Sequence, residues 1–456
     1  FLRAKIQSST CLSINSTCSQ IQSAPLNKEH NSFAKLLKSI AFNYSLFIFV
    51  YKIIVMKIGV LKEEKIPADK RVAFSPVQCQ YIKSQYPNFE ILVQSSDIRC
   101  FSDSEYTALG ISVVNDITEC DLFFGIKEVP KEKLIPNKTY FYFSHTIKKQ
   151  VYNRALLVKM IDMNITMIDY EVLKSINGNR LLGFGKYAGI IGAYNAFLTY
   201  GLKMKLYSLK PANTCLDRIE MEGELKKIKL NNEKFVISGK GRVGQGILEI
   251  IKLLNILEVS KDDYLKKEFD FPVFVSLDTM DYNVRIDNNP GNFNDFISNP
   301  SSYKSIFMKY LEHSDLFIAG HYYSTGSPFL FTKNDVKSPY FNVKVVADVS
   351  CDIDGPVATT IRPSTISKPI YGYNPLTEKE DDFINENIVA VMAVDNLPCE
   401  LPKDSSHDFG SQLIEKVLPL LGNKNDIIEK ATICKNGDLT MEFEYLREYV
   451  TNLDWF

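Results

Sequence analysis

The chain has 456 residues, 45% hydrophobic and 23% charged, which excludes collagen-like and globally disordered proteins and predicts two or three domains. Its 53 basic and 54 acidic residues leave a formal charge of −1, which argues against binding to nucleic acids or membranes through bulk charge. Nine cysteines without a C-x-x-C pair argue against a disulfide scaffold or a zinc site and favour a reducing compartment. We therefore expect a cytoplasmic protein, with mitochondria as the alternative location.

Residues 1–55 differ in character from the rest of the chain. They begin with Phe1 instead of Met, contain Glu29 as their one acidic residue, and show no sustained hydrophobic period. The apolar run at 46–56 is shorter than the roughly 20 residues that a membrane-spanning helix needs. We expect Met56 to be the initiator and residues 1–55 to be translated upstream sequence outside the fold. An organellar transit peptide is the alternative, because the stretch is poor in acids and rich in serine.

From Met56 onwards, short apolar runs alternate with amphipathic stretches. Six strands are predicted first: Lys57–Leu61, Glu90–Val93, Ile111–Val114, Asp121–Ile126, Tyr140–Phe143 and Ile165–Ile168. Three helices are predicted between them: Pro76–Gln85, Ser102–Leu109 and Gln150–Met163. Because strands and helices alternate and the strands are uniformly apolar, we expect a parallel sheet covered by helices on both faces.

A second series of elements follows a predicted helix at Tyr187–Leu202, whose glycines and alanines would let it approach another element closely. Its predicted strands are Phe235–Ser238, Ile256–Val259, Asp315–Ala319, Lys344–Ala347 and Ile388–Val394. Helices are predicted at Val243–Leu254 and Phe409–Leu421. The sequence therefore predicts an α/β protein with two Rossmann-like domains, in which the final segment returns to the first.

A glycine-rich loop separates the first strand and the first helix of this second series. Gly239, Gly241 and Gly244 form a G-x-G-x-x-G pattern, which lets backbone N–H groups approach a pyrophosphate at a helix N-terminus. Arg242, inside the loop, is a further candidate contact. NAD-specific sites usually carry an acid about 20 residues further on, whereas the next predicted strand is followed by Ser260. The choice between NAD and NADP therefore stays open.

Ionisable residues follow several predicted strands of the first half. Lys127 and Glu128 follow one strand, His145 and Glu171 follow two others, and Arg71 comes after the first. Ligands of open α/β sheets bind at the carboxyl ends of strands. A desolvated lysine or a histidine can act as a base near neutral pH, and arginine suits carboxylates. Beside a dinucleotide loop, these residues predict amino-acid oxidoreduction.

Six motifs in these regions resemble the L-lysine-forming saccharopine dehydrogenases and, more closely, the lysine–2-oxoglutarate reductase domains. In family order they are DKRVAFSP (69–76), GIKEVP (125–130), FSHTIKKQ (143–150), IDYE (168–171), GNRLLGFGKYAG (178–189) and DVSCDIDGP (348–356). The resemblance runs from about Met56 to Tyr445 and extends more distantly to alanine dehydrogenase. It implies a catalytic domain formed by residues 56–185 and 360–456, a dinucleotide-binding domain at 186–359, and a cleft between them.

The resemblance also implies a reaction, the reversible NAD(P)-dependent oxidation of saccharopine to L-lysine and 2-oxoglutarate. Lys127 matches the base that takes a proton from the secondary amine, and His145 matches the acid/base residue for imine hydrolysis. Glu128 and Glu171 match acidic neighbours that tune these two residues. The positions that match substrate contacts are Arg71, Gln150, Arg180, Phe184 and His321. The predicted cofactor contacts are Gly239, Gly241, Arg242, Gly244, Ser260 and Asp352.

Two other functions compete with this interpretation. One is an alanine or other amino-acid dehydrogenase, and the other is a catalytically silent dinucleotide-binding module. Saccharopine carries three carboxylates and needs more than one arginine, and both Arg71 and Arg180 are present. Intact Lys127 and His145 argue against the silent module. We expect small-molecule ligands, no nucleic acid, no membrane and no metal, and a monofunctional chain, because it ends soon after the returning segment.

Overall fold

The computed structural model describes residues 55–324, 326–422 and 424–452. Within these ranges the chain forms two mostly parallel sheets of eight strands each, which confirms the predicted α/β fold with two Rossmann-like domains. The extension predicted at residues 1–55 lies, apart from Val55, outside the described residues. No helix in the described ranges is long and apolar enough to span a membrane.

The first sheet contains every strand predicted before residue 170. These strands are β1 (Met56–Val60), β2 (Phe89–Gln94), β3 (Ser112–Val114), β4 (Leu122–Phe124), β5 (Thr139–Tyr142) and β6 (Thr166–Asp169). The connecting helices are α1 (Pro76–Gln85), α2 (Asp103–Thr107) and α3 (Val151–Asp162). All six strands run parallel in the order β6-β5-β4-β1-β2-β3. The carboxyl ends of β6, β5, β4 and β1 therefore meet at one edge, where the predicted site residues follow them.

The second sheet begins after a long helix, α4 (Gly185–Met204). Its strands are β7 (Lys234–Ser238), β8 (Leu257–Glu258), β9 (Val273–Leu277), β12 (Leu316–Ala319), β13 (Val345–Asp348), β14 (Ile370–Asn374), β15 (Lys379–Asp381) and β16 (Val389–Met392), while β10 (Asn283–Arg285) and β11 (Tyr303–Ser305) form a separate pair. Its helices are α5 (Arg218–Glu224), α6 (Arg242–Leu253), α7 (Lys261–Lys266), α8 (Thr279–Tyr282), α9 (Phe293–Ser298), α10 (Met308–Leu311) and α11 (Lys333–Val336). The sheet order is β15-β14-β16-β13-β12-β7-β9-β8, and β14 and β15 are antiparallel to their neighbours.

Three strands of this sheet, β9, β14 and β15, were not predicted from the sequence, and β9 matters most for the site. β9 is fully buried and pairs in parallel with β7, whereas the predicted strand at 256–259 shrinks to the two exposed residues of β8 at the sheet edge. The apolar run of β9 is short and interrupted by Ser276, so its pattern differs little from that of the edge strand. As a result, the neighbour of β7, the strand that precedes the glycine loop, is β9 and not the strand predicted next along the chain.

The return of the chain to the first domain also comes later than the predicted residue 360. Both β14 and β16 belong to the second sheet, where β16 pairs with β13. The apolar sequence of a buried strand such as β16 does not indicate which of two similar sheets the strand joins. The returning segment comprises α12 (Pro402–Lys416), α13 (Asp426–Lys430), β17 (Thr432–Lys435), β18 (Asp438–Leu439) and α14 (Arg447–Thr451). β17 pairs with β6 in antiparallel orientation and extends the first sheet.

Helices α4 and α6 pack backbone against backbone. A Cβ atom added to Gly189 would lie 2.0 Å from the carbonyl oxygen of Val243, and one added to Gly246 would lie 2.1 Å from that of Lys186. The small residues predicted in α4 therefore serve a close helix contact. Because α6 starts at the glycine loop, this contact fixes the loop beside the residues that precede α4.

We predict that Gly189→Ala lowers the melting temperature of the protein. The added methyl group would overlap the Val243 carbonyl oxygen, and overpacking of this kind destabilises folded proteins by about 1–3 kcal/mol. Gly223→Ala in α5 is the matched control, because no heavy atom lies within 4 Å of its added Cβ and alanine favours helices. Equal melting temperatures for the two variants would contradict the close packing.

Candidate active site

Lys127 lies just beyond β4 at the carboxyl edge of the first sheet and is half-buried. Its ammonium group has no ion-pair or hydrogen-bond partner among the described residues. Burial lowers the pKa of Lys127, and the nearby Arg71 guanidinium lowers it further. Its neighbour Glu128 accepts a 2.5 Å hydrogen bond from Lys65 through Oε1, while Oε2 is buried without a partner in the described chain. An unpaired lysine with a lowered pKa has the property that a general base requires.

Arg71 is buried beneath the cleft and paired with Asp69, a residue that the sequence analysis did not select. The guanidinium donates from Nε to Oδ1 at 3.0 Å and from Nη2 to Oδ2 at 2.6 Å. Burial alone would raise the pKa of Asp69, but the Arg71 charge holds it below its usual range. The guanidinium carbon of Arg71 also lies 4.3 Å from the ring centroid of Phe184. This brings two predicted substrate contacts together.

His145 follows β5 in a left-handed conformation with φ of 55°. Its Nδ1 lies 3.3 Å from Oε2 of Glu171, and Lys148 approaches Oε1 of the same carboxylate at 3.2 Å. Burial would raise the pKa of Glu171, but the hydrogen bond with His145 and the charge of Lys148 lower it to about 2. Glu171 is therefore a carboxylate at neutral pH and orients the imidazole through Nδ1.

Arg180, Phe184 and Arg242 line one cavity of about 380 Å³ between the two domains. Arg242 donates to the carbonyl oxygens of Arg180 and, at 3.2 Å, of Leu181, so the glycine-loop helix is tied to the first domain. The Arg180 guanidinium lies 5.6 Å from the ring centroid of Phe143. Two predicted substrate contacts and one predicted cofactor contact thus share a cavity.

The three loop glycines have three different surroundings. Gly239 has φ of +91°, and an added Cβ would lie 2.5 Å from the Gly320 carbonyl oxygen. An added Cβ on Gly244 would lie 2.0 Å from the Gly239 carbonyl oxygen, whereas nothing lies within 4 Å of one on Gly241. A tight turn, an open backbone and close helix packing are the roles that a pyrophosphate loop assigns to these positions. The residues present therefore fit a dinucleotide.

The predicted cofactor contact Ser260 does not lie beside this loop. The strand that it follows, β8, is separated from β7 by β9, and the Ser260 side chain caps α7 by accepting from the Asp263 amide. Asp278 is the residue at the carboxyl end of β9, and it is exposed. The preceding Leu277 carbonyl oxygen accepts a 2.8 Å hydrogen bond from the Gly239 amide. The structure thus places an acid, not Ser260, next to the glycine loop.

The remaining predicted residues are spread over both domains. His321, which follows β12, is buried with its Nδ1 2.8 Å from the Ser238 hydroxyl, and burial lowers its pKa to about 4. Asp352 follows β13 and is half-buried, so burial and the charge of Asp348 raise its pKa. Gln150 is exposed before α3 and accepts a 2.6 Å hydrogen bond from Tyr152. Its carbonyl oxygen accepts a 2.5 Å hydrogen bond from the hydroxyl of Tyr449 in the returning segment, and its side-chain oxygen accepts a second bond from Asn153 at 3.4 Å.

Sequence reasoning also missed an aromatic residue supplied by the returning segment. The ring of Phe409 in α12 stacks on Phe184 with centroids 4.6 Å apart, and it packs edge-to-face on Tyr170 at 5.2 Å. Phe409 is an apolar residue of the predicted helix at Phe409–Leu421, but the sequence does not indicate which ring it packs against. Asp69, in contrast, stands two residues before Arg71 in a motif already recognised.

Taken together, these observations define an α/β protein with the fold of alanine dehydrogenase and a glycine loop that fits a dinucleotide. Residues 59–191 match the family "Alanine dehydrogenase/PNT, N-terminal domain". An L-alanine dehydrogenase structure superimposes with a TM-score of 0.57 and 16% identity, covering 87% of this chain and 100% of its own.

The chain is also similar to curated proteins, which confirms the resemblance to the saccharopine dehydrogenase family. It is 26% identical to alpha-aminoadipic semialdehyde synthase of Arabidopsis thaliana (85% of this chain, 41% of the relative) and 27% identical to that of Mus musculus (85% and 47%). It is 25% identical to saccharopine dehydrogenase [NAD(+), L-lysine-forming] of Schizosaccharomyces pombe, covering 79% of this chain and 92% of the relative. The chain thus spans less than half the length of the two synthases.

We predict that Asp69→Asn destabilises the protein by about 3–5 kcal/mol, because it leaves Arg71 buried without its counter-charge. Because the pKa of Asp69 is lowered, the difference from wild type should be full above pH ~4 and shrink as the pH falls through the folded pKa. Urea unfolding across the acid range measures both effects. Glu119→Gln, which removes an exposed partner of Lys57, is the control and should leave the stability close to that of wild type, because exposed ion pairs contribute little. Equal losses for the two variants would refute a buried pair.

Proposed function

We propose that the protein is a saccharopine dehydrogenase of the L-lysine-forming type, which reversibly oxidises L-saccharopine to L-lysine and 2-oxoglutarate with a nicotinamide dinucleotide. The observation that carries this proposal is the convergence of Lys127, the His145–Glu171 pair and two arginines at the cleft next to the glycine loop. The similarity to the Schizosaccharomyces pombe enzyme over 92% of its length supports it.

Each of these residues has a role in the proposed reaction. The dinucleotide, when bound, supplies the acceptor for the hydride that leaves the glutamyl Cα of saccharopine. Lys127 accepts the proton of the secondary amine, so that the C–N bond becomes an imine. His145, held by Glu171, takes a proton from the attacking water and returns one to the departing lysine amine. Arg71 and Arg180 hold substrate carboxylates, the groups for which a guanidinium is suited.

An amino-acid dehydrogenase that acts on alanine is the second candidate, favoured by the family match over residues 59–191. Alanine has one carboxylate and saccharopine has three, and two arginines, the buried Arg71 and the cavity-lining Arg180, lie in this region. The two candidates are separated by the absorbance of reduced nicotinamide with saccharopine or alanine as substrate. Reduction with alanine alone would overturn the proposal. Silence with both substrates, from folded protein that binds a dinucleotide, would favour the non-catalytic module.

We predict that Lys127→Met lowers turnover of saccharopine by about 10²–10⁴-fold, the usual contribution of a general base, while the Kd for the dinucleotide stays unchanged. Steady-state kinetics and a fluorescence titration with the dinucleotide measure these two quantities. Lys133→Met is the matched control, because Lys133 pairs with Glu64 on the exposed surface of the same domain. Unchanged turnover of the Lys127 variant would remove this residue from the mechanism.

Asp278 leads us to propose NAD as the preferred dinucleotide. Its exposed carboxylate at the end of β9 is suited to accept hydrogen bonds from the ribose hydroxyls and to repel a 2′-phosphate. Lys261, the cation that directly follows Ser260, forms an ion pair with Asp281. The Saccharopine dehydrogenase [NAD(+), L-lysine-forming] of Schizosaccharomyces pombe supports the same choice by its name.

We predict that Asp278→Asn raises the Kd for NAD relative to NADP by about 10–100-fold, the value of a lost charge-assisted hydrogen bond. Titrations of the free protein with each dinucleotide measure the ratio independently of turnover. Ser260→Asp is the control and should leave the ratio unchanged, since β9 separates its strand from β7. A shift with Ser260→Asp and none with Asp278→Asn would return the role to Ser260.

A further inference from the structure

Glu63 is a buried carboxylate that the proposed reaction does not use. It lies in the loop after β1 and is only 6% exposed. Its Oε1 accepts a 2.7 Å hydrogen bond from the amide of Ile126, and its Oε2 accepts one of 2.8 Å from the amide of Lys127. One side chain thus binds two consecutive amides just beyond the neighbouring strand, β4.

These two bonds continue the sheet where its ladder ends. The last backbone contacts of β4 join Leu61 to Phe124 at 2.9 Å and Phe143 to Ile126 at 3.0 Å. Beyond Ile126, the backbone N–H of Lys127 has Glu63 as its hydrogen-bond acceptor. Glu63 therefore fixes the point at which the Lys127 side chain leaves the sheet.

The charges around the Lys127 ammonium come from other residues. Those that act on its pKa are Arg71, Asp69, Lys65 and Glu128. Glu63 itself faces Asp69 and Arg71; burial and Asp69 raise its pKa to about 8, against the opposing effects of the two amides and Arg71. The connection between Glu63 and Lys127 thus runs through the backbone.

We propose that Glu63 is a positioning residue, which holds the backbone of Lys127 so that its ammonium group is presented to the substrate amine. This inference rests on the proposed function for its chemical meaning. A misplacement of about 1 Å in an active site can lower a rate by about 100-fold. Loss of one of the two bonds should therefore affect turnover more than substrate binding.

Glu63→Gln tests the proposal with little change in size. The amide side chain keeps one acceptor oxygen but turns an NH₂ group towards the second backbone N–H, so one bond is lost. We expect kcat to fall about 10–100-fold, with KM for saccharopine and Kd for NAD each within about 2-fold of wild type. Glu64→Gln is the neighbouring control, because Glu64 pairs with Lys62 and Lys133, and it should match wild type.

A double variant separates positioning from a general structural role. If Glu63 acts through Lys127, the variant carrying both Glu63→Gln and Lys127→Met should be no slower than Lys127→Met alone. Multiplied losses, or a Kd for NAD that rises together with the fall in kcat, would overturn the proposal.

A second measurement does not depend on saccharopine oxidation. The rate of acetylation of Lys127, followed by mass spectrometry against the exposed Lys159 of α3 as the internal reference, should change in Glu63→Gln and not in Glu64→Gln. An unchanged Lys127 rate would refute the positioning role even in an active enzyme. A changed rate in a protein that does not oxidise saccharopine would retain it and reject the proposed function. If Glu63→Gln does not fold, the same measurements are made on Glu63→Asp. Its shorter carboxylate cannot reach both amides.

Discussion

The contact between α4 and α6 is the constraint on which the cleft depends. Gly189 and Gly246 let the two helix backbones touch, so the glycine loop at the start of α6 lies beside the residues that precede α4. Arg242 can then reach the carbonyl oxygens of Arg180 and Leu181. Side chains with a Cβ at these two glycines would separate the helices and with them the two halves of the site. The α4–α6 contact contains no reactive group, but it determines how the glycine loop lies relative to the first domain.

Within that geometry, the first domain compensates nearly all of its cleft charges in pairs. Arg71 pairs with Asp69, Lys65 with Glu128, and His145 with Glu171. Each pair gives a partner to charged groups that burial would otherwise penalise. Lys127 and Arg180 differ from these residues, because neither cation has a paired carboxylate among the described residues. The site therefore presents one amine without a carboxylate partner, Lys127, where most other charged groups are paired.

The sequence predicted much of this arrangement, and the failures have physical causes. The strands before residue 170 were predicted to within two residues, because each is a short apolar run bounded by turn residues. Lys127, His145 and Arg71 were selected because they follow predicted strands, and the parallel order of those strands brings the strand ends to one edge. Phe409 and Glu63 were missed, since stacking on Phe184 and acceptance of backbone amides leave no pattern along the chain.

The glycine loop shows that the strand beside β7 in the sheet need not be the next strand along the chain. The expectation of an acid about 20 residues after the loop assumes that the next strand in sequence lies beside the first. Here the edge strand β8 and the helix α7 intervene, and only the following strand, β9, pairs with β7. The exposed position next to Gly239 therefore belongs to Asp278, although Ser260 comes first in sequence. The order of strands across the sheet, and not their order along the chain, therefore decides which residue lies beside the glycine loop.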